Sequence, residues 1–181
     1  NNKVLPLCEA TTSIEDRGSQ FADGIYEVIR VYNARPFTLH EHLQRLRRSA
    51  EAIQIALPLD LDDLADQVAS LIAQSQLRDG MVYMQLTRGV APRNHAFPDC
   101  PPTLLFYVRQ LPPVPAPGTA PGVKLLSVVD ERWRRCWIKS IALLPNVLAK
   151  NQALAAGCDE AVFVENGIVT ECSASNFYII S

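Results

Sequence analysis

Apolar and polar residues alternate along residues 24–32, and one face of the alternation is apolar apart from Glu27. A period of two is typical of a β-strand with one buried face. Residues 81–88 alternate in the same way, and residues 103–109 form an apolar run. Both segments are therefore predicted to be strands, and residues 4–7 are predicted to be an edge strand.

Two helices are predicted between these strands. Apolar residues recur at spacings of three and four along residues 39–53, which predicts a helix with one buried face. Thr38 and Glu41 fit a capping box, in which each side chain binds an otherwise unpaired amide of the first turn. The helix should therefore begin directly after Thr38. A second helix is predicted over residues 61–76, with Asp60 as its N-cap.

A proline-rich stretch follows the last of these strands. Residues 111–122 contain five prolines and two glycines, a composition that makes a stiff, extended connector. We therefore predict an N-terminal α/β domain over residues 1–110, a linker over residues 111–122 and a second domain over residues 123–181.

The second domain is predicted to contain several strands and one helix. Pro145 suits the first turn of a helix that runs to about Ala156, and Gly157 suits its end. Asn166-Gly167 is a strong signal for a two-residue hairpin. The predicted strands are residues 123–129, 159–165, 168–171 and 176–180. The whole pattern predicts a mixed α/β (α+β) fold.

Composition narrows the classes of protein. The chain has 181 residues, 48% of them hydrophobic, and a net charge of −2, so a packed core is expected and neither nucleic acid nor an anionic membrane is indicated as a partner. Five cysteines at irregular spacing form no CxxC pairs, so no metal site and no disulfide framework are predicted. No apolar run approaches the roughly 20 residues of a membrane span. A reducing cytoplasm is the predicted compartment.

Candidate chemistry centres on Lys139, which lies among mostly apolar residues in the stretch 136–144, CWIKSIALL. Loss of hydration favours the neutral amine, a nucleophile that forms Schiff bases. Glu171 lies after the hairpin turn in residues 164–176, VENGIVTECSASN. An imine-forming amine and a carboxylate that keeps a pyridinium protonated are the two groups that pyridoxal phosphate (PLP) chemistry requires. Taken singly, Lys139 is also compatible with a core-lining stem whose charge stays in water.

These two stretches, with residues 16–27 (DRGSQFADGIYE) and 41–46 (EHLQRL), resemble the fold-type IV PLP enzymes. That group comprises branched-chain aminotransferases, D-amino-acid transaminases and aminodeoxychorismate lyase. The resemblance implies an N-terminal α/β sandwich and a C-terminal α/β pseudo-barrel that continues beyond residue 181. We therefore expect this chain to hold only the first part of the second domain.

The resemblance also implies roles for single residues. Lys139 matches the lysine that forms the Schiff base with PLP and then moves the proton of the substrate α-carbon. Glu171 matches the carboxylate that binds the pyridine nitrogen. Arg45 matches the arginine that binds the cofactor phosphate, a task that suits the fixed fork of a guanidinium.

The substrate is indicated by Arg93 and His95. An Arg-x-His in this loop resembles the D-amino-acid transaminases, in which both side chains reach across a homodimer interface and hold the substrate α-carboxylate. Tyr26 matches a tyrosine that completes this carboxylate site, and Tyr83 lies on a strand that lines the same pocket. Leu144 stands where branched-chain enzymes have a tyrosine, which favours the D-amino-acid type.

The predicted function is transamination between a D-amino acid such as D-alanine and a 2-oxo acid such as 2-oxoglutarate. Two alternatives share the scaffold: branched-chain L-amino-acid transamination and pyruvate release from aminodeoxychorismate. A third alternative is a non-catalytic fragment that keeps the fold.

Overall fold

The computed structural model describes residues 3–116, 118–119 and 121–180. The chain forms two compact units, one of residues up to Pro113 together with Trp137–Ala142, the other of Val114–Cys136 and Leu143–Ser181. Lys139 is thus grouped with the first unit, whereas the predicted boundaries assign it to the second domain. The reason is that its segment pairs with a strand of the first unit. The predicted boundaries at residues 110 and 122 stay a prediction.

The first unit contains one antiparallel sheet of four strands in the order β2-β1-β3-β4. Its elements are α1 (Arg17–Phe21), β1 (Gly24–Tyr32), β2 (Arg35–Pro36), α2 (Leu39–Ala52), α3 (Leu61–Gln74), β3 (Gly80–Thr87) and β4 (Thr103–Gln110). The predicted strands and helices of residues 24–110 are all present, and Asp60 caps α3 by accepting from the Asp63 amide at 2.8 Å.

The core of the first unit lies between the sheet and helices α2 and α3. The alternation of β1 and β3 buries every second residue, and the three- and four-residue spacing of the helices buries one stripe of each. Each fully buried aliphatic side chain contributes about 1.5–3 kcal/mol to folding. Ile138, which precedes Lys139, belongs to this core with 2% exposure.

In its described residues, the second unit contains a three-stranded sheet and one helix. Its elements are β5 (Leu125–Val129), α4 (Leu144–Ala155), β6 (Glu160–Glu165) and β7 (Ile168–Cys172). Strands β5 and β6 are parallel and β6 and β7 antiparallel, so β5 and β6 need a long crossover, which contains α4. The β6–β7 turn has positive φ at Asn166 (51°) and Gly167 (81°), as a two-residue hairpin requires.

Three details of the sequence interpretation are wrong. Thr38 adopts a left-handed conformation with φ 49° and makes no side-chain capping bond, so α2 begins at Leu39 without the capping box. Residues 3–6 are irregular and lead into a 3₁₀ turn at Leu7–Glu9 rather than an edge strand. Residues 176–180 form no strand, because no described strand pairs with them.

All five cysteines are free thiols. Among the described residues, no helix combines the length and the apolar composition that crossing a membrane requires.

Candidate active site

The Lys139 segment extends the sheet of the first unit at the edge of β1. Ser140 forms an antiparallel bridge with Ile25. The Tyr26 amide donates to the Lys139 carbonyl at 2.9 Å, and the Ile141 amide donates to the Gly24 carbonyl at 3.1 Å. A Cβ at Gly24 would lie 3.0 Å from Ile141 Cδ1 and 2.7 Å from the Leu86 carbonyl oxygen, so glycine permits this close approach.

The Lys139 amine lies over an aromatic ring. Its Nζ is 4.3 Å from the ring centroid of Tyr26, within the range of a cation–π contact. The Lys139 amide donates to Oγ of Ser49 at 3.2 Å, and Ser49 is 1% exposed. Helix α2 and strand β1 therefore hold the lysine backbone from two directions, while the half-buried side chain rests on Tyr26.

Three tyrosines stack across the sheet beside Lys139. The rings of Tyr26 and Tyr83 are 5.8 Å apart, and those of Tyr83 and Tyr107 are 4.8 Å apart. Tyr83 donates to Oε1 of Gln85 at 2.8 Å. Burial, with smaller contributions from Tyr107 and Tyr26, raises the pKa of Tyr83 to about 12. Its phenol therefore keeps its proton at neutral pH.

Arg45 lies against a buried carboxylate that the sequence interpretation did not assign to the site. Its Nε and Nη2 donate to Oε1 and Oε2 of Glu27, both at 2.7 Å, and His42 Nδ1 is 2.7 Å from the same Oε2. Burial opposes ionisation of Glu27, but hydrogen bonds from Arg45 and His42 outweigh it and hold its pKa below the ordinary value. Glu27 is therefore a carboxylate in the folded protein.

The Arg93–His95 loop packs against helix α1. The Phe21 ring lies 5.2 Å from the His95 ring and 4.9 Å from the Arg93 guanidinium. Arg17, whose side chain is 3% exposed, lies 4.7 Å from the same ring, donates to the Asn94 carbonyl and pairs with Asp23 at 2.8 Å. The structure thus brings Arg93 and His95 together on one aromatic side chain. Their reach across a dimer interface stays a prediction.

Glu171 belongs to the second unit, where it is half-buried on β7 opposite Phe163. A polar cluster lies beside it. Arg132 binds Asp130 at 2.8 Å, and Thr170 donates to the same carboxylate at 2.6 Å. The hydrogen bonds that Arg132 donates to Asp130, opposed by burial and supported by the charges of Cys136, Asp130 and Glu171, raise the pKa of Arg132.

The small residues after Glu171 contact a different carboxylate. Ser173 and Ser175 donate to Glu160, the latter at 3.2 Å, and Lys150 Nζ lies 3.4 Å from Glu160. These contacts organise the loop within the second unit.

Sequence reasoning missed Glu27, His42, Ser49 and Arg132. One signal could have revealed Glu27: it is the single charged residue on the apolar face of β1, and a buried carboxylate requires cationic partners. His42 and Arg45 stand three residues apart on the adjacent helix, so they were the available partners.

Known proteins resemble the chain in sequence and in fold. The family model described as Amino-transferase class IV matches residues 24–181. The chain is 43% identical over 184 aligned residues to a D-alanine aminotransferase of Listeria monocytogenes, a match that covers 99% of this chain and 63% of that protein. The chain thus spans less than two thirds of this relative's length.

Solved structures share the fold. The branched-chain amino acid aminotransferase of Escherichia coli matches with a TM-score of 0.83 at 17% identity, over 96% of this chain and 61% of that one. The 4-amino-4-deoxychorismate lyase of Pseudomonas aeruginosa matches with a TM-score of 0.72 at 24% identity, over 91% and 62%. The predicted fold-type IV α/β architecture is confirmed. With the family model matching most of its length, the chain belongs to the class IV aminotransferases.

Proposed function

We propose that the protein is a PLP-dependent aminotransferase that exchanges the amino group between a D-amino acid such as D-alanine and a 2-oxo acid such as 2-oxoglutarate. Family membership supports transamination, and the relative named D-alanine aminotransferase supports the D-amino acid. The observation that carries the proposal is Lys139, a lysine with a backbone fixed by Ser49 and Tyr26 and an amine over the Tyr26 ring. The two half-reactions share one site, so ping-pong kinetics follow.

The side chains of the chain fit PLP by their chemistry. Lys139 supplies an amine for the cofactor aldehyde, Arg45 a guanidinium for its phosphate, and Glu171 a carboxylate for its pyridine nitrogen. The Arg45 side chain is 42% exposed, so it is accessible to an anion. When bound, PLP supplies an electron sink that makes the Cα–H bond of the substrate acidic.

Lys139 moves the proton in this proposal. Its Nζ would take the proton from the substrate α-carbon and, as the ammonium, give it on the same face to C4′ of the cofactor, so a single group would act as base and then as acid. The negative face of the Tyr26 ring would hold the side chain in place while the nitrogen carries the proton. The backbone bonds to Ser49 and Tyr26 limit the positions that the amine can reach, which favours one face of the substrate.

The substrate carboxylate is proposed to bind Arg93, His95 and Tyr26. Arginine and histidine provide charge-assisted hydrogen bonds, and Phe21 holds the two side chains close together. Fixing the carboxylate decides which enantiomer presents its Cα–H bond to Lys139, so this group sets chirality. Tyr83, whose hydroxyl donates to Gln85, is proposed to line the same pocket.

We also propose a homodimer in which the Arg93–His95 loop serves the neighbouring site, and a cytoplasmic location. The exposed position of this loop supports the first proposal, and the five free thiols support the second. Analytical ultracentrifugation of the complete protein tests the dimer, and cell fractionation tests the compartment.

The experiment that tests the function is a substrate panel on the complete protein. Pyruvate formation from D-alanine with 2-oxoglutarate is compared with L-leucine deamination and with pyruvate release from aminodeoxychorismate. We expect D-alanine to be turned over fastest, with no turnover by Lys139→Ala and normal turnover by Lys124→Ala, which removes an exposed lysine. Faster turnover of either alternative substrate would overturn the D-amino-acid assignment, and a Lys139→Ala variant with normal activity would overturn the mechanism.

A further inference from the structure

Glu27 is a deeply buried carboxylate that the proposed reaction does not use. Its side chain is 0% exposed, on the core-facing side of β1 with Ile25 and Ile29. A carboxylate at such a position is strongly unfavourable unless ion pairs and hydrogen bonds compensate its lost hydration. An aliphatic residue would fill the position without this cost, so the carboxylate calls for a specific role.

Both groups that compensate the charge come from helix α2. Arg45 donates through Nε and Nη2 to the two carboxylate oxygens, each at 2.7 Å, and His42 Nδ1 contacts Oε2 at 2.7 Å. A guanidinium bound through two of its nitrogens has a fixed plane and direction. Glu27 therefore determines where the Arg45 head group points.

Solvent exposure differs sharply between Arg45 and Glu27. The Arg45 side chain is 42% exposed and Glu27 is 0% exposed, so Arg45 extends from the core to the surface. A flexible surface arginine would lose rotamer freedom on binding an anion. An arginine whose guanidinium is already bound by a buried carboxylate lost this freedom when the protein folded. Preorganisation of this kind strengthens anion binding without adding a contact to the anion.

We propose that Glu27 is a positioning residue for the cofactor phosphate: it fixes the Arg45 guanidinium in the orientation that binds phosphate, and His42 holds the second carboxylate oxygen in place. The inference rests on the proposed function, because it takes Arg45 as the phosphate ligand. Glu27 acts through Arg45 and contacts neither substrate nor cofactor.

A purely structural ion pair is the competing explanation. In that case loss of Glu27 lowers stability, and the affinity for any pyridoxal compound falls only through the loss of folded protein. A positioning role instead weakens the binding of the phosphate group alone. The comparison of PLP with pyridoxal, which lacks the phosphate, separates the two roles.

The test measures the affinity of the complete, cofactor-free protein for PLP and for pyridoxal by absorbance titration without substrate. In Glu27→Gln we expect PLP affinity to fall by about tenfold or more, the effect of a lost charge-assisted hydrogen bond, with pyridoxal affinity unchanged. Glu51→Gln is the matched control, because Glu51 forms an exposed pair with Arg47 on the same helix. Thermal unfolding of every variant shows the folded fraction.

A double variant tests whether Glu27 acts on PLP binding through Arg45. In an Arg45→Ala background, Glu27→Gln should produce no further loss of PLP affinity, whereas in an Arg47→Ala background its full effect should remain. If Glu27→Gln does not fold, Glu27→Asp gives the same test, since it keeps the charge and withdraws the carboxylate from Arg45. Equal losses of PLP and pyridoxal affinity, or no loss of either, overturn the inference. A wild-type protein without preference for PLP over pyridoxal overturns the phosphate site of the proposed function as well.

Discussion

Lys139 and Tyr26 contact each other through both backbone and side chain. The Tyr26 amide donates to the Lys139 carbonyl at 2.9 Å, and the Lys139 Nζ lies 4.3 Å from the Tyr26 ring centroid. The backbone bond fixes the register, and the register places the amine over the ring. A change at Tyr26 should therefore alter Lys139 without any change of the lysine itself.

Replacing the Tyr26 ring should slow the reaction of Lys139 with PLP. In Tyr26→Leu we expect the rate of Schiff-base formation with PLP to fall by up to about 100-fold, because the ring no longer holds the lysine side chain in position for attack. Tyr26→Phe keeps the ring and should form the Schiff base at the normal rate, with a raised KM for D-alanine because the hydroxyl is absent. Stopped-flow absorbance measures the first rate and steady-state kinetics the second.

The matched control for this prediction is Tyr32→Leu. Tyr32 lies on the same strand and has the Arg30 guanidinium 5.1 Å from its ring centroid, so it loses a similar contact away from Lys139. Schiff-base formation at the wild-type rate in Tyr26→Leu would contradict the role of the ring.

Ser49→Ala should destabilise the first unit. The substitution leaves the Lys139 amide without the Ser49 hydroxyl at 3.2 Å, and a partly buried donor without its acceptor costs about 1–3 kcal/mol. Urea denaturation measures the change in the free energy of unfolding. Ser70→Ala is the control, since Ser70 lies exposed on α3, where its hydroxyl accepts from the Gln74 side chain. Equal stability of the two variants would argue against Ser49 as a support for the lysine.

Phe21→Leu should weaken substrate binding and leave cofactor binding unchanged. The Phe21 ring contacts Arg93 and His95 at 4.9 and 5.2 Å, and each aromatic or cation–π contact contributes about 1 kcal/mol. We expect KM for D-alanine to rise by about 5- to 30-fold while PLP affinity stays constant. Phe37→Leu serves as the control, because Phe37 directly follows β2 and its ring is exposed. A fall in PLP affinity with unchanged KM would show that Phe21 supports the cofactor instead.

Acid should weaken the second unit through Asp130. Its hydrogen bond with Arg132, opposed by burial and supported by Thr170, lowers the pKa of Asp130 from 3.8 to about 2. A carboxyl whose pKa is lowered by folding stabilises the folded state at every pH above its ordinary pKa of 3.8. This contribution is lost as the pH falls from 3.8 to about 2. The side chain is 10% exposed, and the shift corresponds to about 2 kcal/mol.

The measurement is urea denaturation of wild type and Asp130→Asn at pH 5 and at pH 2.5. Wild type should lose more stability than the variant between these two pH values, because only wild type can protonate this carboxyl. Other carboxylates titrate equally in both proteins, so the difference isolates Asp130. Parallel losses in the two proteins would mean that the Arg132 bond does not stabilise the fold.

Local signals in the sequence predicted most of the fold. Asp60 and Asn166-Gly167 act within a few residues, through an N-cap bond and two positive φ values, so their effects can be read without knowledge of the tertiary structure. Thr38 shows the limit of such signals. Its capping pattern fits, but the tight turn from β2 into α2 places it in a left-handed conformation that prevents the capping bond.

Pairings between distant segments could not be read from local patterns. The bridge between Ile25 and Ser140 assigns Lys139 to the first unit. The sequence of residues 136–144 contains no signal that predicts pairing with β1. The Glu27–Arg45 pair joins a strand to a helix in the same way. The resemblance identified Lys139, Glu171 and Arg45 as candidate site residues, whereas the residues that hold two of them, Ser49 and Glu27, emerged only from tertiary contacts.

The most direct test of the central claim is identification of the lysine that binds PLP. The complete protein is incubated with PLP, reduced with borohydride, digested and mapped by mass spectrometry. A single phosphopyridoxyl group on Lys139 is the expected result. A label on Lys3, Lys124 or Lys150 in its place, or no label, would contradict the proposed role of Lys139.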